Sequence, residues 1–391
     1  MEFSYICTVC NASYDIGPEF TVCPDCSQQQ KKDQPLTGVL EVEIHGTADE
    51  QFQVSDLLPV EQEYFPPIPV GNSPLWEPGN IRKSMGFNRL FIKDDGSNPT
   101  SSFKDRASFL VSAAAKKFNI KDITLASTGN AGSSMAGIGA AAEQRVTLFL
   151  PKTAPTAKLV QALQYGATVH RVNGNYDMAY DMSVEFTHHK GGINRNTAYN
   201  PLTIEGKKTV SLELFKQLGQ APDVVFVSVG DGCILAGIYK GFKDLKKLGL
   251  ISFIPKIIGV QAENSDALSR AFISGEFINI PTSTVADSIC VDVPRNGVHA
   301  LAQLKQFGGE MMTVSDAQII EAQASLARST GLFTEPAGAA AFAGFKKIAP
   351  VLDLDAIIVV LTTGNGLKDV NSATRGIQVP ETVINSIEEI L

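Results

Sequence analysis

Basic blocks, long apolar runs and histidine motifs are what this sequence lacks. Its 391 residues carry 33 Lys and Arg against 41 Asp and Glu, a net charge of −8. No lysine- or arginine-rich block offsets that balance, which argues against a nucleic-acid or anionic-membrane surface. No stretch approaches 18 uninterrupted apolar residues, so no membrane-spanning helix is expected. The opening Met-Glu-Phe-Ser has neither a basic nor an apolar leader region, and a cytoplasmic location is expected. The five histidines (His45, His170, His188, His189, His299) all lie outside the motifs described below, so no His-based nucleophile triad is on offer. What remains, 44% apolar and 19% charged residues, is the composition of an ordinary globular enzyme long enough for two or three domains.

Cysteine is scarce as well, and its placement matters more than its number. Cys7-Thr-Val-Cys10 and Cys23-Pro-Asp-Cys26 form two C-x2-C knuckles, while Cys233 and Cys290 stand alone. In a reducing compartment, paired knuckles at this spacing read as a tetrahedral thiolate zinc site rather than as disulfides. With no basic residue before Lys31, the ribbon reads as a structural clip rather than a nucleic-acid module.

The chain is organised around Asp94-Asp95-Gly96-Ser97-Asn98-Pro99-Thr100-Ser101-Ser102-Phe103-Lys104-Asp105-Arg106. A turn-forming run ends where a helix begins, and Lys104 falls in the first helical turn. The helix dipole favours anions there, so a lysine needs a chemical reason: an amine kept partly neutral and able to form a Schiff base. Beyond it, helix and strand signals alternate. Helices are expected over 103–118, 131–143, 154–165 and 176–189, with strands over 122–126, 146–150 and 168–172. A second run has helices over 205–218, 234–248, 267–272, 298–307, 315–329 and 337–348, with strands over 223–229, 256–260 and 356–361. A strand over 36–44 precedes both. This alternation predicts an α/β architecture of two open, twisted, mainly parallel sheets with a ligand cleft between them. The divisions expected are a ribbon and linker over 1–35, a large domain from 36–98 with 193–391, and a small domain over 99–192.

Asn-Pro-Thr-Ser-Ser-Phe-Lys-Asp-Arg resembles the pyridoxal-phosphate lysine segment of threonine synthases and their fold type II relatives. Gly71-Asn-Ser-Pro-Leu75, Ala126-Ser-Thr-Gly-Asn-Ala-Gly132, Asn200-Pro201 with Ile204-Glu-Gly-Lys-Lys-Thr209, Glu335-Pro-Ala337 and Thr362-Thr-Gly-Asn-Gly-Leu-Lys-Asp369 follow in that family's order. The cysteine knuckles and Leu40-Glu41-Val42 are similar to the N-termini of many archaeal and bacterial members. The resemblance implies fold type II, pyridoxal 5'-phosphate as cofactor, an amino-acid substrate and a homodimer. It implies Lys104 as the catalytic amine, Asn130 at the cofactor's 3'-oxygen and Thr363 at the pyridine nitrogen. Gly230, Asp231, Gly232, Cys233 and Ile234 form the glycine-rich strand-to-helix loop, whose free N–H groups suit the cofactor phosphate. Ser127, Thr128 and Gly129 would grip the substrate carboxylate, and Ser101, Ser102, Arg106 and Thr203 would complete the substrate site. Glu335-Pro336 reads as ordinary helix punctuation.

The pattern is not complete. Threonine synthases that open Asn-Pro-x-Arg-x-Glu-Gly use that arginine, with nearby Ser and Asn, to hold the substrate phosphate. Here Thr203 stands at the arginine position, Ala198 near the serine and Asp231 at the Asn; Asn365 replaces a common histidine, and Ser101 a common glycine. Losing a guanidinium and gaining a carboxylate each cost on the order of 1–3 kcal/mol of phosphate binding. Among Arg106, Lys152, Lys158, Arg195 and Lys207 lie the cations that could rebuild the site. The leading expectation is conversion of O-phospho-L-homoserine and water to L-threonine and phosphate. The alternatives are a paralogue of altered substrate, either β-replacement on O-phosphoserine as in cysteate synthase or serine/threonine dehydration, and a non-catalytic zinc-ribbon binding protein.

Overall fold

The computed structural model describes residues 1–31, 33–127, 129–152, 156–378, 380–381 and 383–391, with 156–158 as backbone alone. Two sheets carry the architecture. The larger runs Glu310–Val314, Lys256–Ala262, Val224–Ser228, Ile358–Thr362, Leu90–Asp94 and Leu75–Trp76 in spatial order. Only its last strand is antiparallel. The smaller, Thr168–Val172, Arg145–Pro151, Asp122–Ala126 and Ile193–Asn194, is wholly parallel. The strands Val224–Ser228 and Ile358–Thr362 (Val-Val-Phe-Val-Ser and Ile-Val-Val-Leu-Thr) are almost continuously apolar because both faces are covered by helices. On one face, the helix Pro336–Ile348 lays Phe342, Phe345 and a run of alanines into the core with Phe226, Ile258 and Val360. On the other, Cys233–Lys247 brings Leu235, Ile238 and Phe242 against Val225, Val227 and Val359.

Three expectations change at this level. The strand expected over 36–44 is Leu40–His45, and it pairs antiparallel with Glu2–Cys7 rather than joining the large sheet. A two-stranded ribbon, Glu2–Cys7 with Ser13–Tyr14, is marginal alone, and this third strand completes it. Ile193–Asn194 pairs with Asp122–Ala126, so the chain leaves the small sheet after residue 194 and not at 193. The single helix expected over 205–218 is two, Leu202–Lys207 and Thr209–Leu218. At the junction the N–H of Lys208 is shared between Ile204 and Glu205 carbonyls, each at 3.2 Å, a tightening of the last turn. The start of the helix expected over 154–165 lies outside the described residues; Thr156–Gln164 is the part observed.

The helix Lys104–Lys117 packs against both Asn130–Ala141 and Leu202–Lys207, which puts its first turn between the two sheets. Gly206 makes that approach possible. A Cβ there would stand 2.4 Å from the Arg106 carbonyl oxygen, so any side chain would force the helices apart.

Candidate active site

The lysine segment is held on both sides. Thr100 donates its N–H to the Asp105 carboxylate at 2.7 Å and its hydroxyl to the same group, closing the turn before the helix. The Phe103 N–H donates to the Thr363 carbonyl at 2.9 Å, and the Asn365 N–H to the Ser101 carbonyl at 3.0 Å. Ser101 takes a positive φ of 68° to make this bend, a conformation that normally favours glycine. Thr363 is therefore a direct neighbour of the lysine segment through its backbone.

Lys104 faces a cavity of about 330 Å³ shared with Ser127, Gly129, Asn130, Thr197 and Asp231. These come from the carboxyl ends of strands in both sheets, where open α/β folds bind ligands. A larger cavity of about 750 Å³ beside the helix Asp316–Thr330 contains none of these groups. Asn130 opens the helix Asn130–Ala141, is buried, and donates from Nδ2 to Glu335 Oε1 at 2.8 Å and to Ser288 Oγ at 3.2 Å. Its Oδ1, like the Ser102 hydroxyl, is buried without a partner among the described residues. Ser127 Oγ accepts from the N–H groups of Gly132 at 2.9 Å and Gly129 at 3.2 Å, capping that helix. Thr128 lies outside the described residues.

The glycine-rich loop has the expected shape. Gly232, at φ 85°, turns the strand Val224–Ser228 into the helix Cys233–Lys247. Asp231, however, turns its carboxylate onto the Cys233 N–H at 2.9 Å, an N–H an incoming anion would use. The Cys233 and Ile234 side chains are buried in the core, so only their backbones can serve a ligand.

Two residues expected to bind substrate are placed elsewhere. Arg106 is buried in an ionic cluster, with Nη1 2.6 Å from Glu213, Nε 2.5 Å from Asp95, and further bonds to Thr209 and Ser73. Every nitrogen of its guanidinium is occupied, and it does not line the Lys104 cavity. Thr203 is equally buried. Its hydroxyl donates to the Asn200 carbonyl at 2.7 Å and accepts from the Ala198 N–H at 3.1 Å, so it braces the turn. Of the candidate replacement cations, Lys152 is exposed and donates to Asn173; the Lys158 side chain lies outside the described residues. Arg195 and Lys207 are fully buried beside the cavity wall.

One wall of the cavity went unread in the sequence. It is the irregular stretch 282–295, which contributes Asp287, Ser288, Cys290 and Asp292. Arg295 pairs with Asp177 and lies 4.7 Å over the Tyr180 ring, pinning this stretch to the helix Tyr176–Lys190. The signal available was a polar, aperiodic run between two helices. Glu335, whose sequence setting before Pro336 is that of ordinary helix punctuation, is the buried acceptor that orients Asn130.

At the N-terminus, the Sγ atoms of Cys7, Cys10, Cys23 and Cys26 lie within 4.8 Å of one another, with Cys7–Cys26 at 3.8 Å and Cys10–Cys23 at 3.7 Å. Four thiolates at ~2.3 Å from one tetrahedral ion stand about 3.8 Å apart. Disulfide sulfurs would stand at ~2.05 Å. The donor set therefore fits a single four-coordinate metal ion.

A lysine at a helix start between two parallel sheets, with unpartnered buried polar atoms beside it and a glycine loop opposite, defines a fold type II cofactor cleft. Residues 68–364 match the pyridoxal-phosphate dependent enzymes, and the chain belongs to that family. Threonine synthases are among its similar curated relatives. That of Methanocaldococcus jannaschii is 34% identical over 98% of each chain, and that of Methanosarcina acetivorans 32% identical over 99% of this chain and 91% of the relative. In structure, the processed form of threonine deaminase isoform 2 from Solanum lycopersicum superposes with a TM-score of 0.67 at 23% identity, covering 78% of this chain and 86% of that one. Maize serine racemase gives 0.67 at 20% identity, covering 76% and 88%. Both likenesses concern the fold. Among the described residues no helix is long and apolar enough to cross a membrane.

Proposed function

We propose that the chain is a pyridoxal-phosphate-dependent lyase that converts O-phospho-L-homoserine and water to L-threonine and phosphate, in amino-acid biosynthesis. The observation that carries this reading is Lys104 at a helix start, facing the inter-sheet cavity with Asn130 beside it. The unpartnered Asn130 Oδ1 and Ser102 hydroxyl, together with the glycine loop, fit a polar cofactor there. When bound, pyridoxal phosphate supplies an electron sink for the bonds at the substrate's α-carbon.

The chain's own residues do the rest. Lys104 would hold the cofactor through its amine, and that amine is the group placed to move protons among the substrate's Cα, Cβ and Cγ. Glu335 keeps the Asn130 amide turned toward the cofactor position. Helix-start N–H groups other than those of Gly129 and Gly132, which Ser127 Oγ already engages, would serve the substrate carboxylate. Thr363, whose backbone adjoins the lysine segment, would offer the cofactor ring a neutral hydroxyl rather than a carboxylate, chemistry that favours elimination and replacement over transamination. The thiolate ribbon is read as a structural zinc site, and the protein as a cytoplasmic homodimer.

The test is incubation of cofactor-loaded protein with O-phospho-L-homoserine, following phosphate and threonine together. Stoichiometric release of both, abolished by Lys104→Ala, is expected. One observation favours a second reading. Asp231, Asp287 and Asp292 line the cavity beside the paired Asp177 and Arg295, an acidic excess that disfavours a doubly charged phosphate, and Thr203 provides no cation. If phosphohomoserine is not turned over while the Lys104-dependent cofactor absorbance is normal, the substrate is another amino acid. O-phosphoserine with sulfite, serine and threonine are then the candidates.

A further inference from the structure

Arginine and lysine side chains are seldom fully buried, and here most that are meet carboxylates. Lys93 stands 2.7 Å from Glu213, Arg106 2.6 Å from Glu213, and Lys208 2.7 Å from Asp244; Lys240 shares the Asp244 carboxylate. Arg195 and Lys207, both at 0% exposure, are different. Among the described residues no carboxylate lies within 4.0 Å of either. Lys207 Nζ donates to the Thr203 carbonyl at 3.0 Å and to Cys233 Sγ at 3.1 Å. The contacts of Arg195 are long: 3.3 Å to Ser108 Oγ, 3.4 Å to Thr197 Oγ1 and 3.5 Å to the Lys104 carbonyl. Neutral oxygens do not offset a buried cation, and a chain that keeps two of them uncompensated is under-supplied with negative charge at that place.

The place is specific. Arg195 touches Lys104 and Thr197, both of which line the cavity. Lys207 touches the first residue of the helix Cys233–Lys247, whose N-terminal dipole adds to the positive field. Burial pushes the pKa of each group down and outweighs the opposing fields of Cys233 and Asp231, neither of which places a carboxylate within 4.0 Å of these cations. The nearest carboxylate of the loop, Asp231, already sits on the Cys233 N–H, a single negative charge where the surroundings favour more.

We propose that Arg195 and Lys207 form a binding site for a phosphate monoester dianion, behind the cavity wall next to Lys104. The phosphate is either the cofactor's own or that of a phosphorylated substrate. A phosphomonoester carries close to two negative charges at neutral pH, matching the two cations. Thr203 then loses its arginine-like role because Lys207, one helical turn later on the same face, carries the charge instead. The proposal rests on the cofactor reading above for its ligand, but its test does not use turnover.

Full-length protein stripped of cofactor, as wild type, Arg195→Met and Lys207→Met, is titrated with pyridoxal 5'-phosphate, with unphosphorylated pyridoxal and with inorganic phosphate. Binding is read from cofactor absorbance and from thermal unfolding. Each variant is expected to lose about 10- to 100-fold in affinity for the phosphorylated ligand and to keep its affinity for pyridoxal. Lys207→Arg is expected to restore binding. The ligand-free variants are expected to melt no lower than wild type, because an uncompensated buried charge has been removed. If pyridoxal 5'-phosphate weakens, the site serves the cofactor. If that affinity holds while inorganic phosphate and O-phospho-L-homoserine no longer perturb the loaded protein's spectrum, it serves the substrate. Unchanged affinity for all of these ligands in both variants overturns the proposal. Should either Met variant fail to fold, Lys207→Gln and Arg195→Gln give the same reading. Absence of threonine formation would count against the reaction and leave this result standing.

Discussion

Asn130 Nδ2 and Glu335 Oε1 stand 2.8 Å apart, both buried, one at the start of a helix on the small sheet and the other at the start of a helix on the large sheet. The bond crosses the cleft and fixes the amide next to Lys104. Glu335→Ala strands that amide in a buried site, at a cost of about 1–3 kcal/mol. A lowered melting temperature and weaker cofactor binding are expected, with Glu335→Gln recovering most of both. Cofactor affinity equal to wild type in Glu335→Ala would show that the contact does not position Asn130.

Arg106 is expected to behave as a structural residue. Arg106→Met leaves Asp95 and Glu213 buried without their main cation, which costs about 3–5 kcal/mol. The chemical unfolding midpoint reads this directly. In the fraction that remains folded, KM for the amino-acid substrate should be unchanged; a large rise in KM with normal stability would return Arg106 to the substrate site.

The same cluster predicts an acid transition. Burial pushes the Glu213 carboxyl up, but the Arg106 guanidinium and the Lys93 ammonium outweigh it and hold the group at about 2 against an ordinary 4.5. The folded state thus binds the proton more weakly than the unfolded chain does. Its contribution is complete above about pH 4.5 and is lost as pH falls toward 2, on the order of 3 kcal/mol in total. Unfolding free energies of wild type and Glu213→Gln, measured between pH 6 and about 2.5, should converge as the pH drops. A gap that stays constant with pH would remove Glu213 from the account.

For the N-terminal ribbon, metal analysis of protein purified without chelator should find about one zinc per chain. Cys23→Ser, or exhaustive chelation, should remove it and lower the unfolding temperature, since Tyr5, Cys7, Leu40 and Val42 pack into the same core as Leu110 and Leu125. Identical melting with and without metal would leave the ribbon without a stabilising role.

Local chemistry made much of this protein legible in one dimension. The alternation of 3.6- and 2-residue periods fixed where strands such as Asp122–Ala126 and Thr168–Val172 begin and end, because burial on known faces imposes those periods. Turn residues located Lys104 and the Gly230–Ile234 loop, since only glycine-rich backbones make such approaches. The paired C-x2-C spacing assembled four thiols from contiguous knuckles. Short or aperiodic pieces did not show themselves: Glu310–Val314, Ile193–Asn194 and the 282–295 wall carry too little pattern, and only pairing or packing with distant chain defines them.

Tertiary structure alone decided what each charge does. Arg106 and Arg195 are both buried arginines near the same helix, and nothing in their neighbours along the chain separates them. Arg106 meets Asp95 and Glu213, the latter 107 positions away, and is neutralised. Among the described residues Arg195 donates from its side chain only to hydroxyls and a carbonyl, with no carboxylate within 4.0 Å. Sequence determines which groups are present and what local backbone holds them; whether a buried charge is satisfied depends on which remote carboxylate the fold brings within a few ångströms. That physical difference separates a residue that holds the fold together from one available to a ligand.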